Sequence, residues 1–366
     1  MTPARILHDN PPVVRYKRDL PHLLQDRMCS LSEHDRSDAT ALLILKARIH
    51  EETIDAEEEA PPIDVVNDID DEGKVPPWEF YYTNEMWLGD AVPPPDLENL
   101  RGCSCVGKCD PNSGTCRCVK IQERRYMQDD DPAKSGFVYD AKTGRLKKGT
   151  PENVPIYECN DLCGCMEDCP NRVVQRGRQY PIVIKKTKHK GWGVFSNGKK
   201  IPQNSYIGIY AGELLTDEEA EERAEIYDKY GRTYLLEIKY WYIGIPKDLP
   251  YDQLPPEEED AKFVVDAYHA GNFTRYMNHS CEPNCHILPC YINEANERKP
   301  LLTFWTTRDV GPEEELTFSY LGPPPDEEEL PTSTKKGKSK SKNVPDDAVF
   351  AKCYCGAKKC RKVLFR

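Results

Sequence analysis

CSCVGKC (103–109), CRC (116–118) and CNDLCGCMEDC (159–169) hold nine of the chain's 16 cysteines. The C-x-C and C-x₃-C steps are too close for each pair to close a relaxed disulfide, and they suit thiolates converging on metal. Tetrahedral zinc needs four ligands per ion, and nine is not a multiple of four. Six terminal and three bridging thiolates, each bridge counted twice, supply the twelve positions that three zincs require. The ligand set so read is Cys103, Cys105, Cys109, Cys116, Cys118, Cys159, Cys163, Cys165 and Cys169. The competing readings are a disulfide-rich secreted module and a metallothionein-like store. An odd count, no visible signal peptide and many large apolar residues between the cysteines speak against both.

The chain has 366 residues, enough for two or three compact units around a real core. The first residues, MTPARILHDNPPVVRYKRDL, contain no long apolar run, and no 18-residue apolar stretch follows, so neither a secretory signal nor a membrane span is expected. A reducing, intracellular setting is the expectation, with the cysteines as zinc ligands. Net charge is −12 with a pI near 5.3, which disfavours strong direct nucleic-acid binding and favours a basic polypeptide. The same charge could serve solubility alone.

SDATALLILKARIHEETIDAEEE predicts a helix capped by Ser37 or Asp38 in an otherwise polar, flexible region, 1–60. Residues 61–100 read as an arm with a short extended segment, Ile63–Val66, and an aromatic run, WEFYYTNEMWLGD (78–90), packing on a larger body. The cysteine module spans 101–172, with 119–158 read as a long loop carrying a hairpin at YDAKTGRL (139–146). From 173 to 321 short β-rich runs dominate: YPIVIKKT, SYIGIYAGEL, TYLLEI, KFVVDA, LLTFWTT and ELTFSY. EEAEERAEIYDKY (218–230) is the one clear helix there, so the fold class is mainly β, with small curved sheets and few helices. Residues 322–349 read as an acidic, then lysine-rich linker, with a localisation patch or an occluding loop as the other readings.

The tail, 350–366, returns to metal chemistry with CYCGAKKC (353–360), one thiolate short of a tetrahedral site. RYMNHSCEPNC (275–285) offers Cys281 or Cys285 as the fourth, and spacing alone leaves that choice open. Either one would tie the tail to the β core as a lid formed when metal binds.

GWGVF, YAGE, TRYMNHSCEPNC, ELTFSY and CxCx₄C in that order, preceded by the nine-cysteine block, resemble the SET-domain protein lysine methyltransferases. The subgroup resembled carries pre-SET and post-SET zinc modules and methylates lysine 9 of histone H3, and PPIDVVNDID, PPPD, IYECN and CPNRVVQRG look like its fungal members. The resemblance runs from about residue 61 to 366. It implies a SET fold with a pseudoknot at NHSC, S-adenosyl-L-methionine as cofactor, three zincs in the pre-SET cluster and one at the post-SET site. It selects Cys281, with Cys353, Cys355 and Cys360, for that last ion.

By position in the family pattern, Tyr320 is the catalytic tyrosine, Tyr234 a second hydroxyl orienting the nitrogen, and Phe318 the residue setting product state towards di- and trimethylation. Gly191, Trp192, Gly193, Arg275, Asn278 and His279 are implied in cofactor binding, with Arg275 on the methionine carboxylate side. Ser319, Tyr276 and Met277 depart from the common pattern. The implied partners are the histone H3 N-terminal tail and chromatin adaptor proteins, in the nucleus, supporting heterochromatin and silencing. Residues 239–262 either help form the tail groove or are a solvated acidic loop, and KKGKSKSK (335–342) could reach the active site. A catalytically silent zinc scaffold and a methyltransferase for another lysine are the rival functions.

Overall fold

The computed structural model describes residues 14–20, 30–32, 37–57, 59–69, 75–77, 80–126, 136–230, 234–238, 263–320, 322 and 352–364. The readings placed on 239–262 and 335–342 lie outside the described residues.

Helix α1 (Asp38–Ala56) starts where the Ser37 hydroxyl accepts the Thr40 amide, 3.2 Å away. A cap of this kind satisfies one of the helix's orphan donors. Its Ala41, Leu45 and Ile49, four residues apart, are buried, and Leu45 and Ile49 join the largest apolar core. The helix of the first 60 residues is therefore an integral part of the main core.

Strands β1 (Ile63–Val66), β2 (Tyr81–Tyr82) and β3 (Met86–Leu88) come from the arm. Helix α2 (Arg117–Tyr126) and β4 (Ile156–Tyr157) belong to the cysteine module. The β-rich region supplies β5 (Ile182–Lys186), β6 (Trp192–Ser196), β7 (Tyr206–Ile209), β8 (Gly212–Thr216), helix α3 (Asp217–Tyr230) and β9 (Leu235–Glu237). It continues with β10 (Phe263–Asp266), β11 (Ala270–Gly271), β12 (Asn278–His279), β13 (Cys285–Tyr291), β14 (Leu301–Thr306) and β15 (Glu315–Phe318). They form three small sheets, β1-β5-β6-β15-β12, β3-β8-β10-β9 and β4-β13-β14-β7, with β2 and β11 as a separate pair. This mainly β architecture is the expected one.

Ile63–Val66 pairs in parallel with Ile182–Lys185, so the arm extends the first sheet. Tyr139 and Leu146 form the bridge of the expected hairpin, with the Asp140 amide on the Arg145 carbonyl.

Three elements correct the sequence reading. Residues 119–158 do not open as a loop, because α2 runs to Tyr126. Its buried stripe contains Gln122, whose amide donates to Pro155 O and accepts from Tyr157 N, so a polar residue occupies a core position and blurs the apolar periodicity. SYIGIYAGEL is two strands in two sheets, β7 against β14 and β8 against β10, with the chain crossing over at Tyr210 and Ala211. CHILPCY is the long strand β13, which Pro289 disguises, since proline is scarce in sheet interiors.

Of the three smaller cores among the described residues, two belong to the cysteine module and its seat. Trp305 stacks with Tyr139 and meets Tyr206 where the cysteine module rests on β14. Nine cysteines with Val119 and Phe137 form the other. Buried Glu158 ties the first of these together, accepting from Tyr139 Oη at 2.8 Å and from the amides of Val173 and Val174 at 2.6 and 2.7 Å.

Candidate active site and cysteine clusters

β15 lies between β6 and β12, which gathers three sequence motifs, GWGVF, NHSC and ELTFSY, at one end of the first sheet. Asn278 pairs with Thr317 and His279 with Phe318 in a short parallel ladder, closed by the Ser280 amide on the Phe318 carbonyl. Asn284 locks the crossing: its Oδ1 accepts from Thr317 N at 2.8 Å and its Nδ2 donates to Glu315 O at 2.8 Å.

The phenols converge beside this crossing. Tyr320 Oη donates to the Met277 carbonyl at 2.8 Å, which turns the hydroxyl's lone pairs away from that carbonyl. Its ring packs 4.8 Å from Phe318, and Phe318 lies edge-on to Phe304 at 4.9 Å. Tyr210 Oη donates to the Tyr234 carbonyl at 2.7 Å. Burial pushes the Tyr320 phenol well above its usual range, and the neighbouring Tyr234 adds to this. Burial does the same to Tyr210, assisted by Tyr320. Both phenols are therefore neutral hydrogen-bonding groups at ordinary pH.

Tyr234 is held by its ring and by its main chain. The Arg275 guanidinium lies 4.2 Å from its ring centroid and 4.0 Å from that of Phe80. Arg275 donates to the carbonyls of Ala267, Pro77 and Tyr268. Those donors face inward, so in this geometry Arg275 braces Tyr234; a clamp on a cofactor carboxylate, the role expected of it, would need them turned outward. A second brace comes from α3. Arg223 bridges buried Glu213 and Asp266, Tyr227 Oη donates to Asp266 at 2.7 Å, and Tyr227 stacks on Tyr268, which leans on Tyr234.

Gly191, Trp192 and Gly193 lie at the β5–β6 turn. Gly191 has φ +69°, the region that favours glycine, and a Cβ on Gly193 would come within 2.7 Å of Glu315 Oε1 and 3.0 Å of Asn278 Nδ2. Asn278 Nδ2 donates to Trp192 O at 3.0 Å and to Glu315 Oε1 at 2.9 Å. Glu315 also pairs with Lys190. Both amide hydrogens are thus engaged, and Oδ1 is the Asn278 atom left to accept from a ligand ammonium. His279 is neutral: burial, and after it the Arg361 charge, lower its pKa to about 4. Its Nδ1 accepts from Tyr320 N at 3.1 Å and its Nε2 faces Cys281 Sγ at 3.4 Å, so neither nitrogen is placed as a general base.

The sulfurs form compact groups. Cys103, Cys105, Cys109 and Cys116 have Sγ atoms all within 4.8 Å, as do Cys103, Cys118, Cys159 and Cys163, and Cys103, Cys109, Cys159 and Cys165. Cys169 Sγ lies 3.9 Å from Cys159 Sγ. Four sulfurs at about 2.3 Å from zinc stand about 3.8 Å apart in a tetrahedron. The observed separations of 3.6 Å for Cys103–Cys109, 3.8 Å for Cys109–Cys159 and 3.5 Å for Cys118–Cys163 match that edge. The donor set and spacing therefore fit zinc. Gly102 lets the strands of the cluster approach, since a Cβ there would lie 2.2 Å from Leu162 O.

A fourth group joins Cys281, Cys353, Cys355 and Cys360, with Cys281 and Cys353 Sγ 4.0 Å apart. Cys285 is fully buried on β13 with its thiol directed at Asn284 Oδ1, outside this group. The tail thus lies against the NHSC segment.

The site residues chosen from sequence are brought together with one redistribution of roles. Tyr210, noted only as the start of YAGE, supplies a second buried hydroxyl, while Arg223 and Glu315 support the site from behind. The periodicity of α3 marks a solvated charged helix, so nothing in sequence distinguishes Arg223 from its neighbours; Glu315 stands in ELTFSY and could have been read there.

Family models for the SET domain and the Pre-SET motif match residues 191–321 and 55–172. The Neurospora SET domain protein DIM-5, a histone lysine methyltransferase, is 31% identical, with a TM-score of 0.58 over 72% of this chain and 97% of that one. The chain belongs to the SET-domain family. An H3 lysine-9 specific histone-lysine N-methyltransferase of Cryptococcus neoformans is 37% identical over 88% of this chain and 20% of its own length. The KRYPTONITE structure in complex with mCHH DNA, H3(1-15) peptide and SAH is 26% identical, with a TM-score of 0.60 over 84% of this chain and 52% of that chain. The chain spans between 20% and 65% of the length of the curated relatives it matches. No helix among the described residues is long and apolar enough to cross a membrane.

Proposed function

We propose that this chain is a histone-lysine N-methyltransferase that transfers methyl groups from S-adenosyl-L-methionine to lysine 9 of the histone H3 tail, reaching the di- and trimethyl states. The observation that carries this is Tyr320: a partly buried, neutral phenol whose proton is committed to Met277 O, set among Phe318, Tyr210 and Tyr234 and beside the Asn278–His279 crossing.

Substrate lysine must arrive neutral, since an ammonium has no lone pair, and with an ordinary lysine pKa near 10.4 only about one in 2,500 is neutral at pH 7. Aromatic burial lowers that pKa by desolvation. The bound cofactor supplies the electrophilic methyl and a nearby positive charge. With its proton on Met277 O, the Tyr320 hydroxyl presents lone pairs to a neutral amine's N–H or to a polarised methyl. Tyr234 and Tyr210 would flank the substrate nitrogen, and Phe318 leaves room for a methylated nitrogen to rotate into line.

Gly191, Trp192, Gly193, Asn278 and His279 would hold the cofactor, with Asn278 Oδ1 available to accept from its ammonium. In the nine-cysteine block, Cys103, Cys109 and Cys159 recur between the sulfur groups and would be the thiolates shared between zincs. The remaining cysteines would serve as terminal ligands: Cys105 with Cys116, Cys118 with Cys163, and Cys165 with Cys169. Cys281, Cys353, Cys355 and Cys360 would hold a fourth zinc. The functional units are the pre-SET module 101–172, SET domain 173–321 and post-SET tail 350–366, preceded by the arm 61–100. Net charge of −12 suits a basic tail better than a phosphate backbone. H3 tails place the enzyme on chromatin in the nucleus, where adaptor proteins would direct it to heterochromatin.

The test is titration of the purified protein with S-adenosyl-L-homocysteine, then methyl transfer to an H3(1–15) peptide. Binding with transfer supports the reading; binding without transfer favours the silent scaffold.

A further inference from the structure

β15 ends at Phe318, and the last ladder bond is Ser280 N to Phe318 O. Tyr320 therefore lies beyond the sheet, and its amide needs a partner that no strand supplies. The partner is the buried imidazole of His279, whose Nδ1 accepts that N–H at 3.1 Å. An amide can only donate, so Nδ1 carries the lone pair and the single proton of a neutral ring sits on Nε2. Nε2 faces Cys281 Sγ at 3.4 Å. The same sulfur accepts the Arg361 amide at 3.4 Å and belongs to the group with Cys353, Cys355 and Cys360.

One ring thus joins the Tyr320 main chain to the tail sulfur cluster. We infer that His279 is a positioning residue that couples metal loading of the tail cluster to the placement of Tyr320. A metal-bound thiolate accepts a strong N–H···S bond, and a free thiol is a weak acceptor. With the thiolate in place the ring is fixed at both nitrogens, and Tyr320 is held at two points, Met277 O and His279 Nδ1. When the cluster empties, Nε2 loses its acceptor and the ring is free to turn, which releases the Tyr320 amide. Outer partners of metal ligands usually change metal affinity by about 10–100-fold, so the coupling has to be visible from the metal side as well. The consequence for catalysis rests on the methyltransferase reading, whereas the metal side does not.

The two ring nitrogens can be mimicked separately: the Asn side chain reaches about as far as Nδ1, and Gln about as far as Nε2. Zinc transfer from the full-length protein to a chromophoric chelator, and kcat and KM for an H3 peptide, are measured for wild type and for His279→Phe, His279→Asn and His279→Gln. The slow zinc fraction from the nine-cysteine block reports that each variant is folded. The expected result is about tenfold faster release of tail zinc in His279→Phe and His279→Asn, with wild-type retention in His279→Gln. In kcat, His279→Asn recovers more than His279→Phe while peptide KM moves little. Tail-zinc release at the wild-type rate in both His279→Phe and His279→Asn overturns the coupling, whatever the activity. Faster release with unchanged kcat in both overturns it too. Should His279→Phe lose the slow fraction and prove unfolded, the Asn and Gln variants decide. Failure of methyl transfer in the wild type would sink the methyltransferase reading while leaving the zinc measurement interpretable.

Discussion

Replacing Tyr320 with Phe removes one oxygen and leaves the ring in its packing against Phe318 and His279. Two losses follow, with different magnitudes. For stability, the Tyr320–Met277 bond disappears and Met277 O, in a buried residue, loses that donor. A net hydrogen bond contributes about 0.5–1.5 kcal/mol, and an unsatisfied buried partner raises the cost to about 1–3 kcal/mol. At roughly 2–4 °C per kcal/mol, Tm should fall by several degrees at most. For chemistry, removing a preorganised hydrogen-bonding group aimed at the reacting atoms typically costs about 2.7–4 kcal/mol, or about 10²–10³ in kcat. The assay is steady-state transfer of labelled methyl to an H3 peptide, with thermal unfolding of the same preparation. The expected signature is a kcat loss of at least about a hundredfold, nearly unchanged peptide KM and a folded protein at assay temperature. A kcat within about threefold of wild type, or a loss that merely follows the unfolded fraction, would refute the role given to the hydroxyl.

Phe318→Tyr should shift the main product from trimethyl- to monomethyl-lysine by mass spectrometry, because an added hydroxyl takes the space a methylated nitrogen needs; an unchanged trimethyl product would contradict the packing argument. Chelation should remove zinc in two phases, since Cys281, Cys355 and Cys360 are partly exposed while eight of the nine block cysteines are buried. The fast phase, about one zinc in four, should carry the activity and the slow phase the fold. A single phase, with activity and fold lost together, would contradict it. Burial raises the phenols of Tyr82, Tyr139, Tyr206, Tyr210, Tyr276 and Tyr320. A raised folded pKa gives stability that is fully present below the unfolded value, about 10, and is lost as pH climbs above it. Ultraviolet titration should therefore show these tyrosines ionising only as the protein unfolds above pH 10, whereas reversible ionisation of all of them near 10 would argue against their burial.

Much of this architecture was legible because local chemistry announces it. Closely spaced cysteines need metal, and β-branched runs between turns need sheets. NHSCEPN and ELTFSY, read through the family pattern, met at one crossing. What escaped the sequence had physical disguises. Gln122 sits where α2's buried stripe calls for an apolar side chain, and Pro289 interrupts an otherwise good strand. The split of SYIGIYAGEL depends on which sheet receives each half, a tertiary matter that alternation cannot encode. Arg275 was read from position in a motif, but its inward donors depend on where the Ala267, Tyr268 and Pro77 carbonyls come to rest. Spacing alone left Cys281 and Cys285 open and the family pattern named Cys281; the physical reason is strand register, since β13 buries Cys285 in the core.

The central claim is methyl transfer to one lysine of the H3 tail. The most direct measurement is mass spectrometry of H3 tail peptides incubated with the purified chain and S-adenosyl-L-methionine, using a panel in which each lysine in turn is replaced by arginine. Every peptide that keeps lysine 9 should be di- and trimethylated, the peptide lacking it should stay unmodified, and Tyr320→Phe should not exceed about one hundredth of the wild-type rate. Methylation that persists without lysine 9, or a folded, zinc-loaded protein that binds cofactor and leaves every peptide unmodified, would contradict the claim.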